Sequence, residues 1–368
     1  MRILFTAMPS AGHVLPLMPL ADAATAAGIE TAVLTSGELA ALVAPLPLLP
    51  AGPSTEEMID RTVRLTGSHP AQPGPGAVEM FAGVHVDLAF DEALRQAEEF
   101  GPDLVVCEEF DFVGPMVAAA LGVPWAAHGI SGPVPEVLWA AFRDRLAGEY
   151  RSRSLTPVPR IALVDPYPDV LRSSAEPPAA DRITIRPVAN GHGREQDAWR
   201  GVESDLPRVL VTVGTTVHDD AALSALVASV ADAGFTVVVT ARPEQLSADV
   251  DPRRVHAVGF VPLAELLPTV DLVVTAGGTG TLLAALSHGL PLVVRPFIAD
   301  QPWNAARVAD LGAGVVVDDP ADAGAAARRV ADDPAYREAA GRAAAGLAST
   351  NSPEEALRGL LALVGAPA

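Results

Sequence analysis

Short, almost wholly apolar segments alternate with helical ones twice along this chain, and that alternation constrains the fold more than any other feature. In the first half RILFTA, ETAVLT, DLVVCEE and PWAAHG read as strands. Between them, LPLMPLADAATAAG carries leucines and alanines at helical spacing with Gly28 as its stop, and GPMVAAALGV reads as a second helix. At Pro207 the pattern restarts. RVLVTVG, FTVVVTA, RVHAVGF, DLVVTA and PLVVRP read as strands, with DDAALSALVASVADAG, LAELLPTV, GTLLAALSHG and QPWNAARVADLGAG as the helices that alternate with them. Unbroken apolar strands joined by helices describe a parallel sheet covered on both faces. The predicted fold class is therefore α/β: two doubly wound, Rossmann-like parallel-sheet domains facing across a cleft. Open sheets of this kind bind ligands beyond the carboxyl ends of their strands.

The expected divisions are an N-terminal domain over 1–190, a linker over 191–206, a C-terminal domain over 207–350 and a final helix over 351–368. That helix has Ser352 as N-cap with Pro353 and Glu354 in its first turn, and is expected to pack back toward the N-terminal domain. Residues 45–80 and 130–195 are rich in proline and less regular; MIDRTVRL reads as helical, GSHPAQPGPGA as a loop and RITIRPV as a strand.

Charge excludes two classes of partner. All 25 basic residues are arginine against 45 acids, giving a formal net charge of −20. Nucleic acid and anionic membrane both demand a positive field, so neither is an expected partner. Cys107 is the only cysteine, which rules out an internal disulfide and a cysteine-rich metal site. No apolar run approaches the roughly 18 residues of a membrane helix. The opening MRILFTAMPSAG has one arginine and breaks at Pro9, so it reads as a strand rather than a leader, and the expected location is the cytoplasm. A homodimer is compatible with the sequence.

The stretch VTAGGTGTLLAALSHG, Val274–Gly289, points to the first ligand. A strand ends at Thr275, a glycine turn follows, and a helix begins near Thr281. Glycines let backbone amides approach a ligand closely. The helix N-terminus adds roughly half a positive charge and unpaired N–H groups. A phosphate or diphosphate is the natural occupant. The dinucleotide pattern G-x-G-x-x-G fails because Leu283 stands at its third glycine, and no G-x-x-x-x-G-K-[ST] is present.

The continuous segment GFVPLAELLPTVDLVVTAGGTGTLLAALSHGLPLVVRPFIADQPWNAARVADLGAG resembles the donor-binding signature of inverting, nucleotide-sugar-dependent glycosyltransferases with the two-domain GT-B architecture. It is most similar to the actinomycete enzymes that decorate macrolides, enediynes and other natural products. RILFTAMPSAGHVLPLMPLADAATAAG and PRVLVTVGTTV resemble two further segments of that family. The resemblance implies that the N-terminal domain binds the acceptor and the C-terminal domain the nucleotide sugar, dTDP- or UDP-linked. No other cofactor and no metal are implied. No D-x-D pair has a strand-end setting, and VDDPADAG reads as a turn. By the same resemblance Val261, after Phe260, meets the nucleobase through its backbone. Gly277, Gly278, Thr279, Gly280 and Thr281 form the diphosphate loop, Thr215 approaches the same phosphates, and Asp300 and Gln301 hydrogen-bond the sugar. Asp300 also reads as a helix N-cap. The family's histidine before the glycine pair is here Ala276, which removes one polar donor, and Leu263 stands where glutamine is common.

MPSAGHVLPLMPL, Met8–Leu20, carries the second element. His13 follows the first strand at the start of a helix predicted near Leu15. A helix N-terminus disfavours imidazolium, and a neutral imidazole takes a proton from a hydroxyl. His13 is accordingly the expected general base for displacement at the anomeric carbon. Glu108, at the end of DLVVCEE where the family has aspartate, is the expected orienting carboxylate; Glu109 and Asp111 compete for that role. A carboxylate partner raises the histidine pKa while the helix lowers it, and the sequence leaves the balance open. His128, Phe81 and Trp139 are expected to line an apolar acceptor pocket. The alternatives are a nucleotide-sugar epimerase of the same fold and a non-catalytic homologue acting as a partner protein.

Overall fold

A computed structural model describes residues 1–173, 178–189, 191–192, 199, 201–214, 217, 219–247 and 250–365. Two sheets form, with every strand pairing in them parallel. The first contains β1 (Arg2–Thr6), β2 (Glu30–Thr35), β3 (Leu48–Pro50), β4 (Leu104–Glu108), β5 (Trp125–His128), β6 (Leu163–Asp165) and β7 (Arg182–Thr184), in spatial order 3-2-1-4-5-6-7. The second contains β8 (Arg208–Thr212), β9 (Thr236–Val239), β10 (Val255–Ala257), β11 (Leu272–Thr275), β12 (Leu292–Val294) and β13 (Gly314–Val316), in order 10-9-8-11-12-13. The doubly wound α/β reading holds for both halves.

Period-two alternation places each strand's side chains in two cores. Ile3, Phe5, Leu104 and Val106 pack with the Met18–Ala26 helix; Leu4 and Val105 pack with the helices His85–Phe100 and Val113–Leu121. In the second sheet Val273, Leu292 and Val294 face the Thr279–Ser287 helix, while Leu272, Val274 and Val293 face the opposite cluster with Val209, Val211 and Phe235.

The chain divides into one unit of Met1–Pro166, Ala175–Arg186 and Asn351–Ala368, and another of Tyr167–Ser174 and Pro187–Thr350. The expected N-terminal domain runs unbroken over 1–190 with the 351–368 helix packing back toward it; here Tyr167–Ser174 and the chain from Pro187 fall in the second unit. Tyr167 is fully buried in the second unit, its ring centroid 5.3 Å from that of Trp303. Such a short excursion leaves no periodic signal in sequence. Trp199, expected in a linker, donates its backbone N–H to Glu265 at 3.0 Å and its indole N–H to Thr269 at 3.2 Å.

The final helix, Pro353–Leu363, opens with a capping box: Ser352 and Glu355 exchange side-chain-to-backbone hydrogen bonds of 2.7 and 3.2 Å. It buries Ala356, Leu357, Leu360 and Leu361 in the core that also holds Leu17, Leu20 and Ala24 of the first unit.

In each sheet the winding reverses between two adjacent strands, β1 and β4 in one, β8 and β11 in the other. The crevice beyond their carboxyl ends is where folds of this type take ligands. His13 and Glu108 follow or end β1 and β4, and the glycine loop follows β11.

Candidate active site

In the first unit helical structure starts at Ala11, earlier than the expected Leu15, and runs as Ala11–Val14, a 3₁₀ turn at Leu15–Leu17, and Met18–Ala26. The His13 backbone N–H bonds the Ser10 carbonyl at 3.0 Å, which places the residue within the first turn. Glu108 lies on the β4 face that packs against this helix, two residues beyond Val106. Its Oε1 stands 2.9 Å from His13 Nδ1 and accepts the Met8 N–H at 3.3 Å; its Oε2 accepts the Phe110 N–H at 2.7 Å. The carboxylate is wholly buried, whereas the His13 side chain is 20% exposed. An acceptor on Nδ1 fixes the tautomer with the proton there, so Nε2 is left as a base. No described residue bonds Nε2.

Burial pulls the His13 pKa down, but the charge and hydrogen bond of Glu108, helped by Glu109 and Asp111, outweigh it, and the pKa is raised above its ordinary 6.5. The two other acids have partners of their own. Glu109 Oε1 accepts the backbone N–H groups of Ile130 and Ser131 at 2.9 and 3.1 Å and the Ser131 hydroxyl at 3.0 Å, anchoring the loop after β5. Asp111 Oδ1 accepts from Val113 N–H at 2.9 Å at a helix start, and lies 3.8 Å from His85 Nδ1. Burial pushes Glu109 and Asp111 each up to about 7, and burial pushes His85 down to about 3.

Phe81 and Trp139 join a cluster of rings beside His13. Phe81 stacks on the imidazole at 5.8 Å between centroids, and Phe110 meets it edge-on at 6.2 Å. Phe110 and Trp139 lie nearly parallel, 9° apart at 5.7 Å, with Phe142 buried behind them. Phe81, Phe110 and Trp139 are half-buried. Phe81 rides on a π-helical segment, Met80–Val84, a kind of distortion that often marks functional positions. Glu79 and Arg145 join this segment to the Glu136–Ser152 helix through paired bonds of 2.9 and 3.0 Å.

His128 departs from expectation. It is 1% exposed, its Nδ1 bonds the Gly129 carbonyl at 2.8 Å, and burial lowers its pKa to about 4. The register pairs it with Glu108 in mid-sheet, so it is sealed in the core rather than lining a pocket.

In the second unit Gly277 has φ +89°, and a Cβ there would lie 2.7 Å from Val294 Cγ1. Glycine is therefore required by both conformation and packing. Gly278 is the N-cap of the Thr279–Ser287 helix, with no side chain capping it. A Cβ on Gly278 or Gly280 would meet nothing within 4 Å. No described group accepts from the N–H groups of Gly278, Thr279, Gly280 or Thr281, the first donors of this helix.

Three polar side chains brace this turn, and their roles differ from a simple set of ligand contacts. The Thr279 hydroxyl donates to Asp300 Oδ2 at 2.6 Å. Asn304, fully buried, donates to the Gly277 carbonyl at 2.9 Å, to Thr279 Oγ1 at 3.0 Å and to Asp300 Oδ2 at 2.8 Å. Asp300 starts the Gln301–Leu311 helix without capping it, and Ala299 before it has φ +55°. Gln301 is buried, with its Oε1 accepting the N–H groups of Phe297 and Ile298 at 2.8 and 2.9 Å. Asp300 is thus partly committed to the glycine turn, and Gln301 to the Phe297–Ile298 segment. The Val261 side chain is in the core, and no described residue bonds its backbone N–H or carbonyl. Thr215 lies outside the described residues. Ala276 is 2% exposed in the cluster of Val274 and Val293.

The models of the erythromycin biosynthesis protein CIII-like N-terminal and C-terminal domains match residues 7–214 and 224–363. The chain belongs to this family. Like its relatives, it is a glycosyltransferase. Elloramycin glycosyltransferase ElmGT of Streptomyces olivaceus is 31% identical over all of this chain and 98% of its own length. Tylactone mycaminosyltransferase of Streptomyces fradiae is 30% identical over 86% of this chain and 81% of its own. The crystal structure of SsfS6, a glycosyltransferase of Streptomyces sp. SF2575 complexed with thymidine diphosphate, superposes with a TM-score of 0.84 at 34% identity, covering 98% of this chain and 99% of that one. SnogD of Streptomyces nogalater gives 0.81 at 30% identity, covering 99% of each.

Within this CIII-like glycosyltransferase, sequence reasoning missed Phe110, His85 and Asn304. Asn304 had a signal, since it stands one helical turn after Asp300 on the same face. Phe110 had only its place two residues past Glu108. Among the described residues, no helix is long and apolar enough to cross a membrane.

Proposed function

We propose that this glycosyltransferase moves a deoxysugar from a thymidine-diphosphate-linked donor to a hydroxyl of an apolar natural-product acceptor, with inversion and without a metal. The acceptor oxygen bonds to the anomeric carbon as the bond from that carbon to the diphosphate oxygen breaks. His13 Nε2 takes the hydroxyl proton, and the diphosphate leaves with the bonding pair. Glu108 holds the imidazole and balances its positive charge. The uncapped N-terminus at Gly278–Thr281 receives the charge on the leaving diphosphate, a role for which pre-aimed amides need no reorganisation. The half-buried rings of Phe81, Phe110 and Trp139 favour an apolar acceptor. Thymidine diphosphate bound to SsfS6 supports the nucleotide choice.

The observation that carries this reading is the 2.9 Å bond between His13 Nδ1 and a fully buried carboxylate, with Nε2 uncommitted. The test is incubation with labelled thymidine- and uridine-diphosphate sugars, with and without a panel of polyketide acceptors and with EDTA, for wild type and His13→Ala. Acceptor-dependent, EDTA-resistant release of thymidine diphosphate that collapses in the variant is expected. Epimerised donor without an acceptor, or no donor binding, would overturn the proposal.

A further inference from the structure

We infer that Arg295 supplies the cationic contact to the donor diphosphate that Ala276 cannot. The inference rests on the donor reading above. β11 and β12 run side by side with Thr275 opposite Val294, and the Arg295 N–H bonds the Thr275 carbonyl at 2.9 Å. Arg295 therefore stands across from Ala276 at the carboxyl edge of the sheet, next to the glycine turn. Alternation decides its face. Leu292 and Val294 belong to the cluster under the Thr279–Ser287 helix, whereas Val293 belongs with Val274 and Ala276. Arg295 follows Val293 by two, so its side chain leaves the strand on the side that carries the Ala276 methyl.

The guanidinium is held but not neutralised. Its carbon lies 3.9 Å from the Phe297 ring centroid, and one terminal nitrogen donates to the Pro296 carbonyl at 3.3 Å. Its Nε is buried without a hydrogen-bond partner. Among the described residues no carboxylate stands within ion-pair distance, in a chain whose acids outnumber its arginines 45 to 25. Phe297 is itself fixed by the Gln301 amide oxygen at 2.8 Å. A stacked arginine with unused planar donors is built for an oxyanion with several oxygens, and a phosphate matches it in geometry and charge.

The test uses the whole protein and titration calorimetry with thymidine diphosphate and with thymidine. Arg295→Gln is expected to weaken thymidine diphosphate binding about 10- to 100-fold, the range for losing a charge-assisted bond, and to change thymidine binding less than about twofold. Arg295→Met, which keeps the stem over Phe297, should show the same split should the glutamine variant fold poorly. Diphosphate affinity within about twofold of wild type in a folded variant, or equal losses for both ligands, would overturn the inference while leaving the donor reading intact. Wild-type protein that binds neither thymidine diphosphate nor uridine diphosphate would sink the donor reading, and this inference with it.

Discussion

Replacing Glu108 with glutamine keeps the shape of the side chain and removes its charge. In the wild type, burial lowers the His13 pKa, and the Glu108 charge and hydrogen bond raise it above 6.5 against that pull. A base must be neutral, so kcat/KM falls as pH drops through the raised value. Glu108→Gln deletes the largest upward influences, so the acid limb moves to lower pH. Above that limb the rate falls, because the imidazolium formed during transfer loses its counter-charge. The 2.9 Å bond is charge-assisted and worth about 1.5–3 kcal/mol, which corresponds to a loss in kcat of about 10- to 150-fold. Stability follows the same group. A raised histidine pKa stabilises the fold fully below 6.5, and that contribution fades as pH rises through the folded value; the variant loses it. Glutamine also turns an N–H₂ toward one of the two backbone N–H groups the carboxylate accepts, costing about 1–3 kcal/mol, which thermal melts measure separately. The assay is a pH profile of kcat/KM for both proteins at matched foldedness. An acid limb that stays in place or moves to higher pH refutes the account of Glu108.

The glycine turn gives a paired test. Gly277→Ala meets Val294 at 2.7 Å and a φ of +89°, so thermal melts should show a loss of about 1–3 kcal/mol; Gly278→Ala, at φ −60° with no protein atom within 4 Å, should stay within about 0.5 kcal/mol of wild type. Equal effects at the two positions would contradict the loop geometry. Leu360→Ala in the final helix should cost about 2–5 kcal/mol of stability in denaturant titration, because that side chain is fully buried, while leaving affinity for thymidine diphosphate unchanged.

Much of the fold was legible because parallel strands and their crossover helices are written as local patterns. Gly277 could be read because a strand-to-helix turn needs positive φ there, and Ser352 because capping chemistry is local. What escaped was tertiary. Which of Glu108, Glu109 and Asp111 faces His13 depends on the sheet face that the Ala11–Ala26 helical stretch covers, and no spacing within EEFD reveals it. His128 ends its strand as expected, yet burial seals it. Asn304 holds the glycine turn through a bond to the Gly277 carbonyl, a group that becomes its neighbour only after folding. The excursion that begins at Tyr167 is fixed by packing of its ring against Trp303, a contact far apart in sequence.

The central claim is that His13 takes the acceptor's proton, and the acceptor's own acidity tests it most directly. His13→Ala should be compared on an aliphatic alcohol and on a phenol already ionised at the assay pH. General-base catalysis contributes about 10²–10⁴-fold, so the account predicts a deficit of that size for the alcohol and one under about tenfold for the phenolate. Equal deficits on both acceptors would mean that His13 does something other than remove a proton.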